Sequence, residues 1–314
     1  MSQLPTAVLG RTGLEVTKLG YGAMELRGSA GGRGRDVDSG DATRILNQVL
    51  DSGINFIDTS PDYGDSEELI GRSISGRRDE FFLASKCGCP VNVPPPAPGE
   101  RPEHVFTPDN IRAGVEQSLR RMNTDHLDIV QFHASPSRDV LEHNGAVDAL
   151  VALRDEGKIR FLGMSGTLPN ISDHIKMGVF DAFQIPYSAL EREHEEIITE
   201  AAVSGSGTIV RGGVARGAPD KSPDAISDWP PEWRQMMQQR MEQRRADWEG
   251  AKLDDLLDGA TRTEFMLRFT ITHPDMHTTI VGTANPDHLA ANVAAAAKGP
   301  LPAGVYEAAK ALLS

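Results

Sequence analysis

Asp58, Tyr63, Lys86 and His133 each stand at or just beyond the end of a short apolar run. The runs read Asn55-Phe-Ile-Asp58-Thr-Ser-Pro-Asp-Tyr63-Gly, Phe81-Phe-Leu-Ala-Ser-Lys86 and Leu127-Asp-Ile-Val-Gln-Phe-His133. Burying an unpaired charge is costly, so complementary polar groups ending consecutive buried strands point to chemistry. A free tyrosine hydroxyl, with a pKa of about 10, is a poor acid near neutrality. A neighbouring ammonium stabilises the phenolate and makes the hydroxyl a better general acid. Lys86 supplies that charge if Asp58 pairs with it and keeps it protonated, and His133 can donate a hydrogen bond that orients a carbonyl oxygen. Together the four suit protonation of an oxygen that gains negative charge as hydride reaches its carbon. A Schiff base on Lys86 is a weaker alternative.

Placing these groups at one site requires strands whose carboxyl ends converge. Strand candidates fall at residues 17–23, 55–60, 81–86, 127–133, 161–166, 182–188, 207–213 and 278–284. They are apolar nearly throughout, as parallel strands covered on both faces must be. Eight is the number a closed parallel barrel needs, and in such barrels the active site forms at the strand carboxyl ends. Before them, Val8–Leu19 holds two short strand patterns around a Thr-Gly turn, a hairpin signal.

Helical patterns fall between the strands. Ile111, Val115, Leu119 and Met122 stripe one helix face behind Thr107 as N-cap and Pro108 in the first turn. Val140, Val147, Leu150 and Val151 stripe the next helix, with Gly157 as its C-terminal cap, and Asn285-Pro286 opens another. With no internal repeat or separating linker, residues 1–314 read as one domain. Two segments break the rhythm: 87–106, which is proline-rich, and 214–260, which runs through Trp229-Pro-Pro-Glu-Trp233 into a polar, Met- and Arg-bearing helix. Both follow strands and so project over the same end, as lids or binding loops would. The alternative for the helix is packing on the barrel exterior.

The 314 residues carry a formal charge of −13, with 39% hydrophobic and 25% charged residues. That composition suits a soluble globular protein and disfavours nucleic-acid binding by phosphate neutralisation. No signal peptide or membrane-spanning run is evident. The two cysteines, Cys87 and Cys89, read as reduced thiols in keeping with a cytoplasmic location. No metal site is expected: Cys-Gly-Cys lacks two further ligands, and His194-Glu195 has Ile198 where a zinc hydrolase needs its second histidine. A Rossmann fingerprint fails at Glu25 after Gly20-Tyr-Gly22 and at Val210 after Gly205-Ser-Gly207. A phosphate-binding loop fails at Ala152 before Gly157-Lys158.

Longer stretches resemble the aldo-keto reductases. They are Leu9-Gly-Arg-Thr-Gly13-Leu-Glu-Val-Thr-Lys-Leu-Gly20-Tyr-Gly-Ala-Met24, Gly53-Ile-Asn-Phe-Ile-Asp58-Thr-Ser-Pro-Asp-Tyr63-Gly, Ser66-Glu67 and Leu69-Ile-Gly71-Arg. The resemblance covers essentially the whole chain. It implies a TIM-type (β/α)8 barrel with an N-terminal β-hairpin and long loops after strands 3 and 7. It also implies an NAD(P)-dependent oxidoreductase that interconverts an aldehyde or ketone with an alcohol. Tyr63 would be the proton donor, with Lys86, Asp58 and His133 as partners. The alternative within the same fold is a cofactor-binding sensor or regulatory subunit with little turnover.

By the same resemblance, the cofactor lies against Gly22, Asp58, Ser165, Gln184, Tyr187, Gly212, Val214, Gly217, Gly282, Thr283, Ala284, His288 and Asn292. Ser165 and Gln184 would hold the nicotinamide carboxamide and Tyr187 would stack on its ring. The segment Gly212–Gly217 would lie near the pyrophosphate and Ile280–Asn292 at the adenosine end. Gly166 replaces a frequent asparagine, and Gly212-Gly213 replaces Ser-Pro, loosening that loop. Ala284 falls where a basic residue often meets the 2′-phosphate, and His288 where glutamine is usual. NADP(H), the family's default, is the implied cofactor, with NAD(H) possible because Ala284 offers the 2′-phosphate no charge. The implied partners are a small-molecule carbonyl or alcohol and, at most, a second copy in a homodimer. No nucleic acid or membrane is implied.

Overall fold

The computed structural model describes residues 3–28, 37–91, 103–214, 226 and 231–313, the side chains of 232 and 233 excepted. β1 (Thr6–Val8) and β2 (Glu15–Thr17) form the antiparallel hairpin, with Ala7 opposite Val16. Its turn closes at Gly13, whose φ of 70° lies in the left-handed region that glycine enters without strain.

Eight strands follow: β3 (Leu19–Gly22), β4 (Phe56–Asp58), β5 (Phe82–Cys87), β6 (Leu127–Phe132), β7 (Ile159–Ser165), β8 (Ala182–Pro186), β9 (Gly207–Arg211) and β10 (Thr278–Val281). Each pairs parallel with the next, and β10 pairs with β3 to close the barrel. Each expected strand is present, but most end earlier than the apolar runs suggest. The last residues of the runs leave the ladder to build the rim, as His133 does just past β6. The expected strand at 17–23 also divides, because Thr17 pairs in the hairpin and Leu19 starts β3.

The helices are α1 (Ser39–Asp51), α2 (Ser66–Ile74), α3 (Pro108–Met122), α4 (Arg138–His143), α5 (Ala146–Asp155), α6 (Asn170–Met177), α7 (Glu195–Val203), α8 (Pro231–Gly250), α9 (Arg262–Thr272), α10 (Pro286–Ala297) and α11 (Ala303–Leu312). α3 starts at Pro108 as expected and ends at Asn123 in the left-handed conformation. The stripe from Val140 to Val151 belongs to two helices, α4 and α5. The chain breaks between them at Gly145, whose φ of 65° no helix accommodates.

The barrel interior is layered along its axis. Leu9, Leu14 and Val16 of the hairpin plug the amino-terminal end against Phe56, Ala84, Ile129, Ala182 and Ile209. Side chains two residues further along a strand share its inward face. The next layer up is accordingly Asp58, Lys86, Gln131, Gln184 and Arg211, so the interior changes from apolar to polar toward the carboxyl ends. A second, larger core lies between strands and helices. The later part of α8 belongs to that outer packing. Trp248 is fully buried edge-on to Phe265 of α9 and donates its indole N–H to Asp254. Met237 and Met241 pack with Ile226. Trp229 and the side chain of Trp233 lie outside the described residues. No described helix is long and apolar enough to cross a membrane.

Candidate active site

The polar layer is built around Asp58, the last residue of β4. Lys86 Nζ donates to Asp58 Oδ1 at 2.7 Å and to the Thr59 carbonyl at 2.8 Å. Gln131 Nε2 and Gln184 Nε2 donate to Asp58 Oδ2 at 2.8 and 2.9 Å. Both carboxylate oxygens are thereby occupied, and β4, β5, β6 and β8 are tied together across the barrel. Burial works against a charged Lys86, but Asp58 and then Tyr63 outweigh it and hold the ammonium above the usual lysine range. Nζ lies 5.2 Å from the centroid of the Tyr63 ring, which stands in the turn after β4. Two of its three donors are used, leaving one for the tyrosine side. The Tyr63 ring meets His133 edge-on, with centroids 6.3 Å apart.

His133 faces a second cluster. Its Nδ1 and the Nε2 of His104 each lie 3.2 Å from Asp62 Oδ2. Burial pushes the Asp62 carboxyl up, yet hydrogen bonds from His104 and His133 outweigh it and hold it well below the usual carboxylate range. Burial is also the larger influence on His133, pushing it below the usual histidine range against its hydrogen bond to Asp62. Cys89 Sγ completes the group, 3.5 Å from His133 Nδ1. Sequence spacing does not bring these residues together, because they come from four separate segments.

Most of the expected cofactor positions gather along one arc of the rim. Ser165 ends β7 and donates its hydroxyl to Gln184 Oε1 at 3.1 Å. Gly22 ends β3, and Gly282 packs so closely that a Cβ there would lie 2.4 Å from the Gly22 carbonyl oxygen. The Thr283 carbonyl accepts from Tyr21 Oη at 2.7 Å. Asn285 Oδ1 then caps α10 by accepting from Asp287 N at 2.8 Å. Gly282, Ala284 and His288 are exposed around this helix start, while Asn292 is buried on α10. Gly212 has a φ of 77°, and Val214 is half-buried beyond it. Gly217 lies outside the described residues.

Tyr187 is the residue expected to stack on the nicotinamide ring. Its ring is fully buried between Phe269 and His273, and its hydroxyl lies 3.2 Å from that of Tyr306. Two further residues that the sequence does not single out stand at the site, Gln131 and Arg211. Arg211, at the end of β9, is pushed down by burial against the pull of Tyr63, Glu191 and Asp58, all within reach of its charge. Glu191 in turn pairs with Arg244 of α8. A polar residue two positions beyond an inward apolar one is the signal that would have found both.

The family model described as the aldo/keto reductase family matches residues 18–314. The chain belongs to that family. The fold of the aldo-keto reductase AKR11C1 from Bacillus halodurans, in its holo form, superposes with a TM-score of 0.80 at 27% identity. That match covers 99% of this chain and 97% of the other. The oxidoreductase YqkF of Bacillus subtilis is 26% identical over 298 residues, which is 92% of this chain and 90% of YqkF. L-galactose dehydrogenase of Arabidopsis thaliana is 33% identical over 53% of this chain and 50% of its own length. As an aldo/keto reductase, the protein is an NAD(P)-dependent oxidoreductase.

The donor set suits a nicotinamide. Gln184 Nε2 has a second N–H beyond the one given to Asp58, and Ser165 Oγ keeps acceptor capacity after donating to Gln184. A carboxamide needs that combination of donor and acceptor.

Proposed function

We propose that the barrel moves hydride between NAD(P)H and a carbonyl or alcohol, with Tyr63 as the general acid in reduction and the general base in oxidation. The observation that carries this reading is the buried Lys86–Asp58 ion pair set over the Tyr63 ring, with Nζ 5.2 Å from its centroid. When bound, the nicotinamide supplies or accepts the hydride. Tyr63 gives its hydroxyl proton to the oxygen that becomes the alcohol. Lys86 stabilises the phenolate left behind, and Asp58 keeps Lys86 charged in a dry setting where such interactions are strong. His133 holds the carbonyl oxygen through Nε2. Arg211 borders the same space from β9 and counters the negative charge of Asp58 and of the tyrosine in its ionised form.

For the cofactor, Ser165 and Gln184 hold the carboxamide, and the start of α10 offers backbone N–H groups and a positive dipole end to a phosphate. NADP(H) is the favoured cofactor, with NAD(H) accepted because exposed Ala284 gives the 2′-phosphate no cation. A relative 29% identical over 62% of this chain is an NADH-specific methylglyoxal reductase of Escherichia coli. With the L-galactose dehydrogenase, it supports small polar substrates: a short aldehyde or ketone for reduction, a sugar-like alcohol for oxidation.

The test is stopped-flow oxidation of bound NADPH, and separately NADH, against such a panel. Turnover of at least one small carbonyl or sugar-like alcohol is expected. Tight cofactor binding with no oxidation by any member would instead favour a sensor on the same fold.

A further inference from the structure

Asp62, Cys89, His104 and His133 bring one ligand atom each to a common point on the barrel rim, all within 4.8 Å of one another. Asp62 follows β4, Cys89 follows β5, His104 precedes α3 and His133 follows β6. Asp62 Oδ2 lies 3.2 Å from both His104 Nε2 and His133 Nδ1, and the two nitrogens are 3.1 Å apart. Cys89 Sγ lies 3.5 Å from His133 Nδ1 and 3.9 Å from His104 Nε2.

These five distances are close to edges of a metal tetrahedron, and the sixth pair, Asp62 and Cys89, lies within 4.8 Å. Bonds of about 2.0–2.1 Å to nitrogen or oxygen and about 2.3 Å to sulfur put N and O ligands roughly 3.3 Å apart and S roughly 3.6 Å from N. If both imidazoles donate to Asp62, two N–H dipoles meet side by side at 3.1 Å. The metal-free alternative is a hydrogen-bonded chain in which one imidazole accepts from the other or from the Cys89 thiol, and metal binding replaces it.

We propose that these four side chains bind one Zn²⁺ ion. One thiolate, two imidazoles and one carboxylate form the mixed, borderline-soft set that tetrahedral Zn²⁺ takes, whereas Mg²⁺ and Ca²⁺ select all-oxygen shells. Ligation uses the Cys89 thiolate and releases its proton to solvent. Thiolate and carboxylate then neutralise the ion, which suits a largely buried site where Cys89 is 3% exposed. Four protein ligands close the coordination sphere, so the ion is structural and takes no substrate.

The surrounding backbone holds the ligands in place. Gly88 has a φ of 89°, and a Cβ there would lie 2.4 Å from Phe106 Cε1, so only glycine lets the Cys89 turn reach the His104 segment. Val105 N donates to the Gly88 carbonyl at 2.7 Å. Asn110 Nδ2 bridges the carbonyls of Cys89 and Val105 at 3.1 and 2.8 Å. Such outer bonds orient ligands in metal sites.

The ion also bears on the proposed reaction, and this part rests on that reading. With Nδ1 of His133 on the metal, the ring proton sits on Nε2, as a donor to a carbonyl oxygen requires. Without the metal, a neutral ring that donates from Nδ1 to Asp62 leaves Nε2 an acceptor, so the ion fixes the tautomer on which the proposed role of His133 depends.

The test uses the full chain without an affinity tag. Elemental analysis of protein grown with zinc is expected to give one zinc per chain. After chelation, Co²⁺ titration is expected to saturate at one equivalent, with intense tetrahedral visible bands and a thiolate-to-metal charge-transfer band. Cys89→Ser should abolish the charge-transfer band, and either Cys89→Ser or His104→Asn should weaken Co²⁺ binding by more than about 100-fold, beyond the loss of an outer partner. Circular dichroism confirms that the variants fold, and His104→Asn serves if Cys89→Ser does not. Absence of saturable Co²⁺ binding by the wild type, or variants that bind Co²⁺ as the wild type does, overturns the site. Neither readout depends on turnover, so an inactive protein that binds zinc refutes the proposed reaction and not the site.

Discussion

Lys86 and Asp58 form an ion pair 2.7 Å long whose side chains are only 1% and 2% exposed. Removing one partner of such a pair strands the other charge in the interior and costs roughly 3–5 kcal/mol. Asp58→Asn should therefore lower the unfolding free energy by about that amount as well as impair turnover. An Asp58→Asn, Lys86→Met double variant, which keeps an oxygen for Gln131 and Gln184 and removes the stranded ammonium, should recover part of that stability without recovering activity. Denaturant unfolding of the variants checks this. A double variant no more stable than Asp58→Asn would show that the loss does not come from the stranded lysine charge.

The amino-terminal end of the barrel should be separable from the chemistry. Leu9 is fully buried against Phe56, Ile129 and Ile209. Leu9→Ala should cost about 2–5 kcal/mol through lost burial and the cavity left behind. Because the site lies at the opposite end, kcat at a temperature where the variant stays folded should match the wild type. Thermal unfolding and steady-state kinetics on one preparation test both halves.

Ala284 is exposed at the start of α10. Ala284→Arg should supply the missing cation and tighten NADPH binding by about tenfold, equivalent to ~1.4 kcal/mol. NADH affinity should stay where it was. Fluorescence titration with each cofactor distinguishes this from a general change in the pocket, which would move both.

Glu195 opens α7 and joins it to α11, accepting from Lys310 Nζ and Arg192 Nε, both at 2.7 Å. Burial pushes its carboxyl up, but Lys310 and Arg192 outweigh this and hold it below the usual range. A folded-state pKa below the unfolded one stabilises the protein above the ordinary carboxylate range. That contribution is lost as pH falls through the depressed value. Glu195→Gln should lower Tm at pH 7 by roughly 2–4 °C, the shift that about 1 kcal/mol produces in a domain of this class. The difference from wild type should shrink below about pH 4. A gap that holds constant into strong acid would assign the effect to shape and not charge.

The barrel was legible because its parallel strands leave unbroken apolar runs, and Asp58, Lys86 and His133 stood out as polar groups at the ends of those runs. Gln131 and Arg211 were harder to find. A single polar residue near the end of an apolar strand reveals its role only when the inward alternation through Ile129 and Ile209 is followed. Tyr187 shows another limit: a motif fixes which residue is present but not which way its ring turns, and here the ring packs against Phe269 with its hydroxyl beside that of Tyr306. The α4–α5 break was hidden because the apolar stripe continues across Gly145, while only backbone conformation interrupts the helix. The cluster at His133 has no local signature, since three turns and a strand end each supply one ligand atom.

The central claim is that Tyr63 carries the proton. Its most direct test is single-turnover oxidation of bound NADPH by Tyr63→Phe under conditions where chemistry limits the wild-type rate. The hydride-transfer step should slow by roughly 100- to 10,000-fold, the range typical of a lost general acid, while NADPH affinity stays close to wild type. A variant that transfers hydride at near the wild-type rate would contradict the assignment.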